Sequence, residues 1–321
     1  MLFHVPPSLR HLVVPTALVA VLLLVAVIRA PMTFTPVGLA GAVLVAAPLI
    51  LAAMALTPIA MAGRGGVDLS VGPAIGFINV TIVMWLPALG IASPLGVFAY
   101  AIGMGILWQV MLAALIIWLR IAPIIAALAG YMILSGVNLV ILPRPGGIAP
   151  DWLASWSFGT ELFGQVLWIL IGACVVWGLF TRMVLFDHMR LMGADERTAY
   201  TVGIDIVTAR LAAHVMAGLF IGLGAVCLTG LIGSGDPTQG NTLTLQAVTA
   251  LVLGGTSLAG GRGGIAGSIL GAVAMWLVFV VLSSFNFGAI SGFMTQMVFG
   301  LILTASLLLS LFTGRVRART A

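Results

Sequence analysis

The sequence predicts an all-α, polytopic membrane protein of about ten transmembrane helices, and three observations carry that expectation. Of its 321 residues 62% are hydrophobic, about 199, whereas only 13 are basic and 8 acidic. A hydrocarbon core of roughly 30 Å is crossed by about 20 helical residues, so this apolar content fits ten spans better than one globular core. The apolar residues form long blocks with short Pro-, Gly- and Arg-bearing connectors, and the arginines alternate between those connectors.

In order, the blocks are 12–28, 37–62, 71–89, 95–119, 121–142, 162–181, 206–232, 243–258, 265–282 and 293–312. The first is too long for a typical signal-peptide core and lacks a clear small-residue cleavage site, so it is read as a retained helix. With the N-terminus cytoplasmic, Arg10, Arg64, Arg120, Arg182, Arg190, Arg197, Arg210, Arg262, Arg315, Arg317 and Arg319 fall inside and only Arg29 and Arg144 outside. That asymmetry obeys the positive-inside rule over all ten blocks and places both termini in the cytoplasm. The chain reads as one transmembrane domain over residues 1–321, with an outside loop at 143–161 and an inside loop at 182–205.

Pro73, Pro87 and Pro94, with the Gly-rich backbone around Asp68, predict an interrupted helix near residues 63–80. Irregular backbone at membrane depth must be surrounded by protein or water, because lipid cannot satisfy its amides. An unpaired Asp68 carboxylate there costs about 2.5–3.5 kcal/mol even on lenient insertion scales. Two readings are compatible: Asp68 caps the third span by accepting from the Ser70 or Val71 amide, or Asp68 and Ser70 belong to a broken-helix feature beside a solute path.

All 13 basic residues are Arg. Without Lys the chain has no P-loop lysine, Schiff-base lysine or Ser/Lys dyad. The arginines are scattered singly, which argues against nucleic acid as a partner. Cys174 and Cys227 sit in apolar runs and read as small hydrophobes. His4, His11, His188 and His214 have no metal-ligand spacing, and no paired carboxylates suggest an enzyme. Trp152 and Trp156, beside Asp151, suit the outer membrane interface.

The inside loop concentrates seven charges, Arg182, Asp187, Arg190, Asp195, Glu196, Arg197 and Asp205, in 24 residues. It reads either as a solvated loop or as a short amphipathic helix against a cytoplasmic partner, with Asp195 as N-cap and Gly203 ending the turn. Small-residue pairs, Gly72/Gly76, Gly218/Gly222, Gly260/Gly264 and Gly267/Gly271, read as close helix packing. Asn79, Thr81, Gln109, Ser135, Asn138, Gln246, Thr249, Thr295 and Gln296 should face the bundle interior, as interhelical hydrogen bonds or as the lining of a passage.

Three segments resemble the ribose-type sugar permeases of bacterial ATP-binding-cassette importers, within the branched-chain amino acid/sugar permease superfamily. Gly65-Gly66-Val67-Asp68-Leu69-Ser70-Val71-Gly72 is similar to that family's GGIDLSVG. Residues 190–204 are similar to its cytoplasmic loop at Gly193, Glu196, Ala199, Gly203 and Ile204. Gly254-Gly255-Thr256-Ser257-Leu258-Ala259-Gly260-Gly261-Arg262-Gly263 is close to its GGTSLAGGKG. Thr244-Leu245-Gln246 and Gly193-Ala194-Asp195 depart from the usual pattern.

The resemblance implies a permease subunit for a monosaccharide or related small polar solute. It implies a second permease copy or a paralogue, two cytoplasmic ATP-binding subunits or one duplicated ATPase chain per protomer, and a periplasmic solute-binding protein. This chain then holds no cofactor, ATP and Mg residing on the partners. Arg190, Gly193, Asp195, Glu196, Ala199 and Gly203 are the candidates for coupling to the ATPase. Asp68, Ser70, Asn79, Asn138, Gln246 and Thr249 are the candidates for the translocation pathway. The rival expectation, a stand-alone carrier or channel, calls for buried ionisable groups, and acidic residues in the membrane are nearly limited to Asp68.

Overall fold

The structure, a computed structural model, describes the backbone of residues 12–320 except 160, 162 and 286; side chains at 289, 307 and 309–320 lie outside it. The readings at His4, Arg10 and His11, and those on the side chains of Arg315, Arg317 and Arg319, fall outside the described residues. Among the described residues the fold is all-helical, with a single isolated β-bridge between Gly146 and Gly235.

Each predicted apolar block contains one principal helix. These are α1 (Val13–Arg29), α2 (Pro36–Met61), α3 (Val71–Ala88), α4 (Pro94–Ile117), α5 (Pro123–Ile141), α7 (Gln165–Phe180), α10 (Ile206–Ile232), α11 (Gln239–Leu253), α12 (Ile265–Ser283) and α13 (Ser291–Thr320). A short α6 (Asp151–Ala154) lies in the 143–161 loop, while α8 (Val184–Ala194) and α9 (Glu196–Thr201) build the charged segment. Six helices, α2, α3, α4, α5, α10 and α12, are long and apolar enough to cross a membrane; a seventh is α7 with α8, if that pair, bent by 79°, is one span. The 15-residue α11 is not among them. At a rise of 1.5 Å per residue it extends about 22 Å, short of a bilayer core.

Local chemistry sets the helix starts. Thr35 and Ser93 accept from the Gly38 and Gly96 amides at 3.2 and 3.3 Å, each followed by Pro at the first helical position. Proline fits there because its missing N–H has no helical partner anyway. The same reason corrects the expected interruption. Pro73 lies in the first turn of α3 and Pro87 in its last, so residues 71–80 are continuous helix and only 62–70 are irregular. Pro94 starts α4 rather than breaking it.

At the centre, α2 and α10 pack on each other and are wrapped by α3, α4, α11 and α12. Residues 46–62 are buried on every face, which a helix tolerates only inside a bundle. Helix pairing follows the glycines. Gly218 and Gly222 of α10 press on α4, where an added Cβ would stand 2.5 Å from Ile106 Cα and from Ala101 O, respectively. Gly267 and Gly271 meet α11 in the same way, 2.1 Å from Gly254 O and 1.9 Å from Ala250 O. Gly72 opposes Gly240, 2.1 Å from its carbonyl oxygen. Gly260 and Gly264 do not form such a helix pair: both lie in the 254–264 loop, and Gly264 faces open space.

The connections gather into two groups. Trp152 donates to Ala92 O at 2.7 Å, and Gly146 and Gly235 exchange backbone bonds of 3.0 and 2.9 Å, joining the 89–93, 143–161 and 233–238 loops. At the other group, the 62–70, 182–205 and 254–264 segments meet. Most of the polar span residues are buried as expected, but Ser135, Gln246 and Thr295 are half-buried and Gln296 is exposed.

Candidate functional site

The three glycine-rich segments converge on one point. A Cβ on Gly193 would lie 1.8 Å from Met61 O and 2.8 Å from Gly261 N. A Cβ on Gly63 would lie 2.9 Å from Gly193 Cα, and one on Gly260 2.4 Å from Gly193 O and 2.5 Å from Gly63 Cα. Gly261 N donates to Met61 O at 2.9 Å, fastening the 254–264 loop to the end of α2. Backbone meets backbone on every side, so no side chain fits.

The charged segment is more structured than a single short helix. In α8, Met189 and Met192 are buried while Asp187 and Arg190 are exposed, and the Arg190 guanidinium lies 5.7 Å from the Phe186 ring centre. Asp195 separates α8 from α9 and caps the latter as expected, accepting from the Arg197 and Thr198 amides at 3.0 and 3.2 Å and from Thr198 Oγ1 at 2.8 Å. Those bonds, the Thr198 hydroxyl foremost, hold the exposed Asp195 carboxyl below its ordinary value of 3.8. Asp205 at the head of α10 is lowered in the same way by Thr208. Gly203, at φ +86°, ends the turn after α9, and Ala199 is buried beneath it.

Glu196 turns inward to two arginines. Its carboxylate meets Arg64 through two contacts of 2.5 Å and Arg210 Nη2 at 2.9 Å. The Arg210 side chain is 8% exposed and that of Arg64 51%. A buried guanidinium needs its counter-charge, so Glu196–Arg210 is the tighter requirement of the two. Arg64 has φ +58°, a backbone that glycine adopts freely and arginine rarely does. A cleft of about 770 Å³ opens beside these groups, lined by Arg64, Asp195, Glu196, Arg197, Tyr200, Thr201 and Ile206.

Further along the 62–70 loop, Asp68 is buried in a polar chain. One carboxylate oxygen accepts from the Ser70 amide at 2.8 Å and the Ser70 hydroxyl at 2.7 Å, and the other accepts from Gln109 Nε2. Trp108 Nε1 donates to Ser70 Oγ at 2.9 Å, and Gln109 Oε1 meets His214 Nδ1 at 2.7 Å. Because a carboxylate only accepts, the Gln109 amide nitrogen faces Asp68, and its oxygen then requires the proton on His214 Nδ1. Asp68 therefore does more than cap: it accepts from Ser70 rather than Val71, and it ties the loop to α4 and α10. The chain continues the α4–α10 glycine seam, since Ala101, Gly105 and Gln109 are spaced by four residues, as are His214, Gly218 and Gly222.

Of the six residues expected along a pathway, Asp68 and Ser70 bond each other, and the other four lie on α3, α5 and α11. Asn79 bonds Thr229 Oγ1 at 2.9 Å, Ser234 O at 3.0 Å and the Asp236 amide at 2.9 Å, pinning the 233–238 loop to α3. Asn138 donates to Pro73 O at 3.1 Å, and its Oδ1 is buried with no hydrogen-bond partner. Thr249 bonds its own helix through Leu245 O, and Gln246 is half-buried on α11. Sequence reasoning missed Arg64, Arg210 and His214 as contact residues. The available signal was the spacing of Arg210 and His214, one turn apart in an otherwise apolar helix.

A glycine junction and an ion-paired charged segment, built onto a bundle of apolar helices, define a multi-pass membrane protein with a rigidly attached peripheral hairpin. The chain belongs to the branched-chain amino acid transport system / permease component family, which matches residues 38–307. It is a multi-pass protein of the inner (plasma) membrane.

Among named relatives, it is 28% identical over 220 residues to the fructose import permease protein of Rhizobium meliloti, covering 65% of this chain and 61% of that one. It is 27% identical over 199 residues to the ribose import permease protein of Bacillus subtilis, covering 59% and 60%. It is 28% identical over 211 residues to the D-allose transport system permease protein of Escherichia coli, covering 64% of each chain. The chain thus spans about three fifths of the length of these relatives.

Proposed function

We propose that this chain is the membrane-spanning permease subunit of an ATP-binding-cassette importer that carries a monosaccharide or a related small polar solute inward. The relatives named for fructose, ribose and allose support the solute class. The observation that carries the coupling role is the seat of α8 and α9: Gly193 fixes them against Met61 and Gly261, and Glu196 against Arg64 and Arg210. A partner that moves this hairpin moves the bundle with it.

In this reading the chain crosses the membrane ten times with both termini cytoplasmic, 182–205 faces the ATPase, and 143–161 faces the periplasmic solute-binding protein. Two copies, or one copy and a paralogue, form the pore over a pair of ATP-binding domains, which hold ATP and Mg. Arg190, Asp195 and the cleft beside Glu196 supply the exposed, charged surface for that contact, whereas Gly193, Ala199 and Gly203 shape it. A passage should hold its solute weakly, so specificity rests mainly with the binding protein.

The test is ATP-dependent uptake of D-ribose, D-fructose and D-allose by the complex that co-purifies with this chain, reconstituted in liposomes. Uptake should require ATP inside and binding protein outside. Transport by the chain alone, driven by an ion gradient, contradicts the assignment.

A further inference from the structure

The 62–70 loop holds both an ion pair to the hairpin and a buried bond network to the bundle. At one end Arg64 grips Glu196 at the head of α9. Four residues on, Asp68 grips Gln109 of α4, and through Gln109 it reaches His214 of α10. Arg210, one turn before His214, receives the same Glu196 from the other side. The result is a closed ring of contacts: hairpin, loop, α4, α10 and back to the hairpin.

We propose that Glu196 acts inside the subunit rather than on the ATPase, and that Arg64 and the 62–70 loop carry hairpin displacement to α4 through Asp68 and Gln109, while Arg210 passes it directly to α10. The inference rests on the transport reading and adds its transmission residues. Three observations support it. Glu196 is a quarter exposed and both its oxygens are taken by Arg64 and Arg210, which leaves little for an external partner. Arg64 occupies a left-handed backbone position, flanked by Gly63, Gly65 and Gly66, where glycine would be unstrained. Strain of this kind persists only where the surroundings enforce it, and here it delivers a guanidinium to Glu196. Finally, the far end of the loop is locked by bonds that use both Asp68 oxygens.

Arg64→Asn separates the link from the scaffold. Asparagine accepts a positive φ, and the buried Arg210 keeps its Glu196 partner, so the fold and the hairpin seat remain. Two readings are taken on the complex in lipid nanodiscs or liposomes. In hydrogen exchange, adding ATP, Mg and vanadate to wild type should change protection in 182–205, at the head of α10 and around Gln109; in Arg64→Asn the change around Gln109 should be lost, while that in 182–205 and at the head of α10, joined by Glu196 and Arg210, remains.

In uptake of whichever of D-ribose, D-fructose and D-allose the wild type carries, solute moved per ATP hydrolysed should fall by roughly fivefold or more, with hydrolysis retained. Arg64→Lys, which keeps the charge, should restore part of it. Arg64→Asn that transmits the exchange change to the Gln109 segment of α4, or that transports at the wild-type ratio, overturns the proposal. If the wild type carries none of the three sugars, the solute assignment fails instead, and hydrogen exchange alone decides the link.

Discussion

Gly63 and Gly193 touch through bare backbone: a Cβ on Gly63 would stand 2.9 Å from Gly193 Cα, closer than such atoms approach in proteins. Two segments 130 residues apart in sequence are thereby joined without any side chain. This contact fixes the distance between the peripheral hairpin and the bundle.

Gly193→Ala should be the most damaging alanine substitution in the hairpin. The added methyl falls 1.8 Å from Met61 O, and neither partner has a side chain that can give way. Overpacking of this kind costs about 1–3 kcal/mol and here separates α8 from α2. Gly41→Ala, with open space around it, serves as the control. Thermal unfolding of the purified protein should show a lowered transition for the first and an unchanged one for the second.

Along the α4–α10 seam, Gly218→Leu should disrupt packing far more than Gly103→Leu on α4. The first is met by Ile106 Cα at 2.5 Å and Gly105 O at 2.6 Å, whereas the second has nothing within 4 Å. Without a hydrophobic drive in lipid, close van der Waals contact is what holds such helices together. Membrane yield and resistance to detergent unfolding should separate the two variants clearly.

Asn79→Asp should free the 233–238 loop. The amide nitrogen of Asn79 donates to Thr229 and Ser234 while its oxygen accepts from Asp236. A carboxylate loses both donations and confronts two acceptors, a penalty of about 1–3 kcal/mol for groups left unsatisfied. Faster hydrogen exchange at Asp236, with little change in 182–205, is the expected readout; equal exchange in both variants would contradict the pinning role.

Acidification should loosen the hairpin before the bundle. Asp195 and Asp205 have their carboxyl groups lowered from 3.8 by capping bonds, chiefly from Thr198 and Thr208. A lowered value in the folded state means that the caps contribute fully above pH 3.8 and are lost as pH falls below it through the folded values. Asp195→Asn retains the cap without the charge, so its exchange in α9 should be nearly independent of pH in that window once intrinsic rates are divided out.

Much of this protein was legible from residue order. Ten apolar blocks each gave one principal helix, because burying a continuous apolar surface in lipid or protein is a local demand that composition alone expresses. Asp195 and Gly203 announced the ends of α9 through their own side-chain and backbone preferences. The prolines at 73 and 87 were misread because the sequence does not say where a helix begins or ends: Pro73 falls in the first turn of α3, where its missing N–H breaks nothing, and Pro87 falls in the last, where the helix is ending anyway.

Only the tertiary structure decided which partners those residues find. Asp68 could have capped α3 alone; it instead reaches Gln109 and, beyond it, His214, residues 41 and 146 positions away. Glu196, a sequence candidate for coupling to the ATPase, is held between Arg64 and Arg210 of its own chain. Of the polar candidates for a pathway, Asp68 and Ser70 bond each other while Asn79, Asn138 and Thr249 bond different segments, because polarity in an apolar helix says only that a side chain must be satisfied. Amphipathy and capping are written within a few neighbouring residues; a hydrogen bond between helices depends on how they cross, and chain order alone does not encode that.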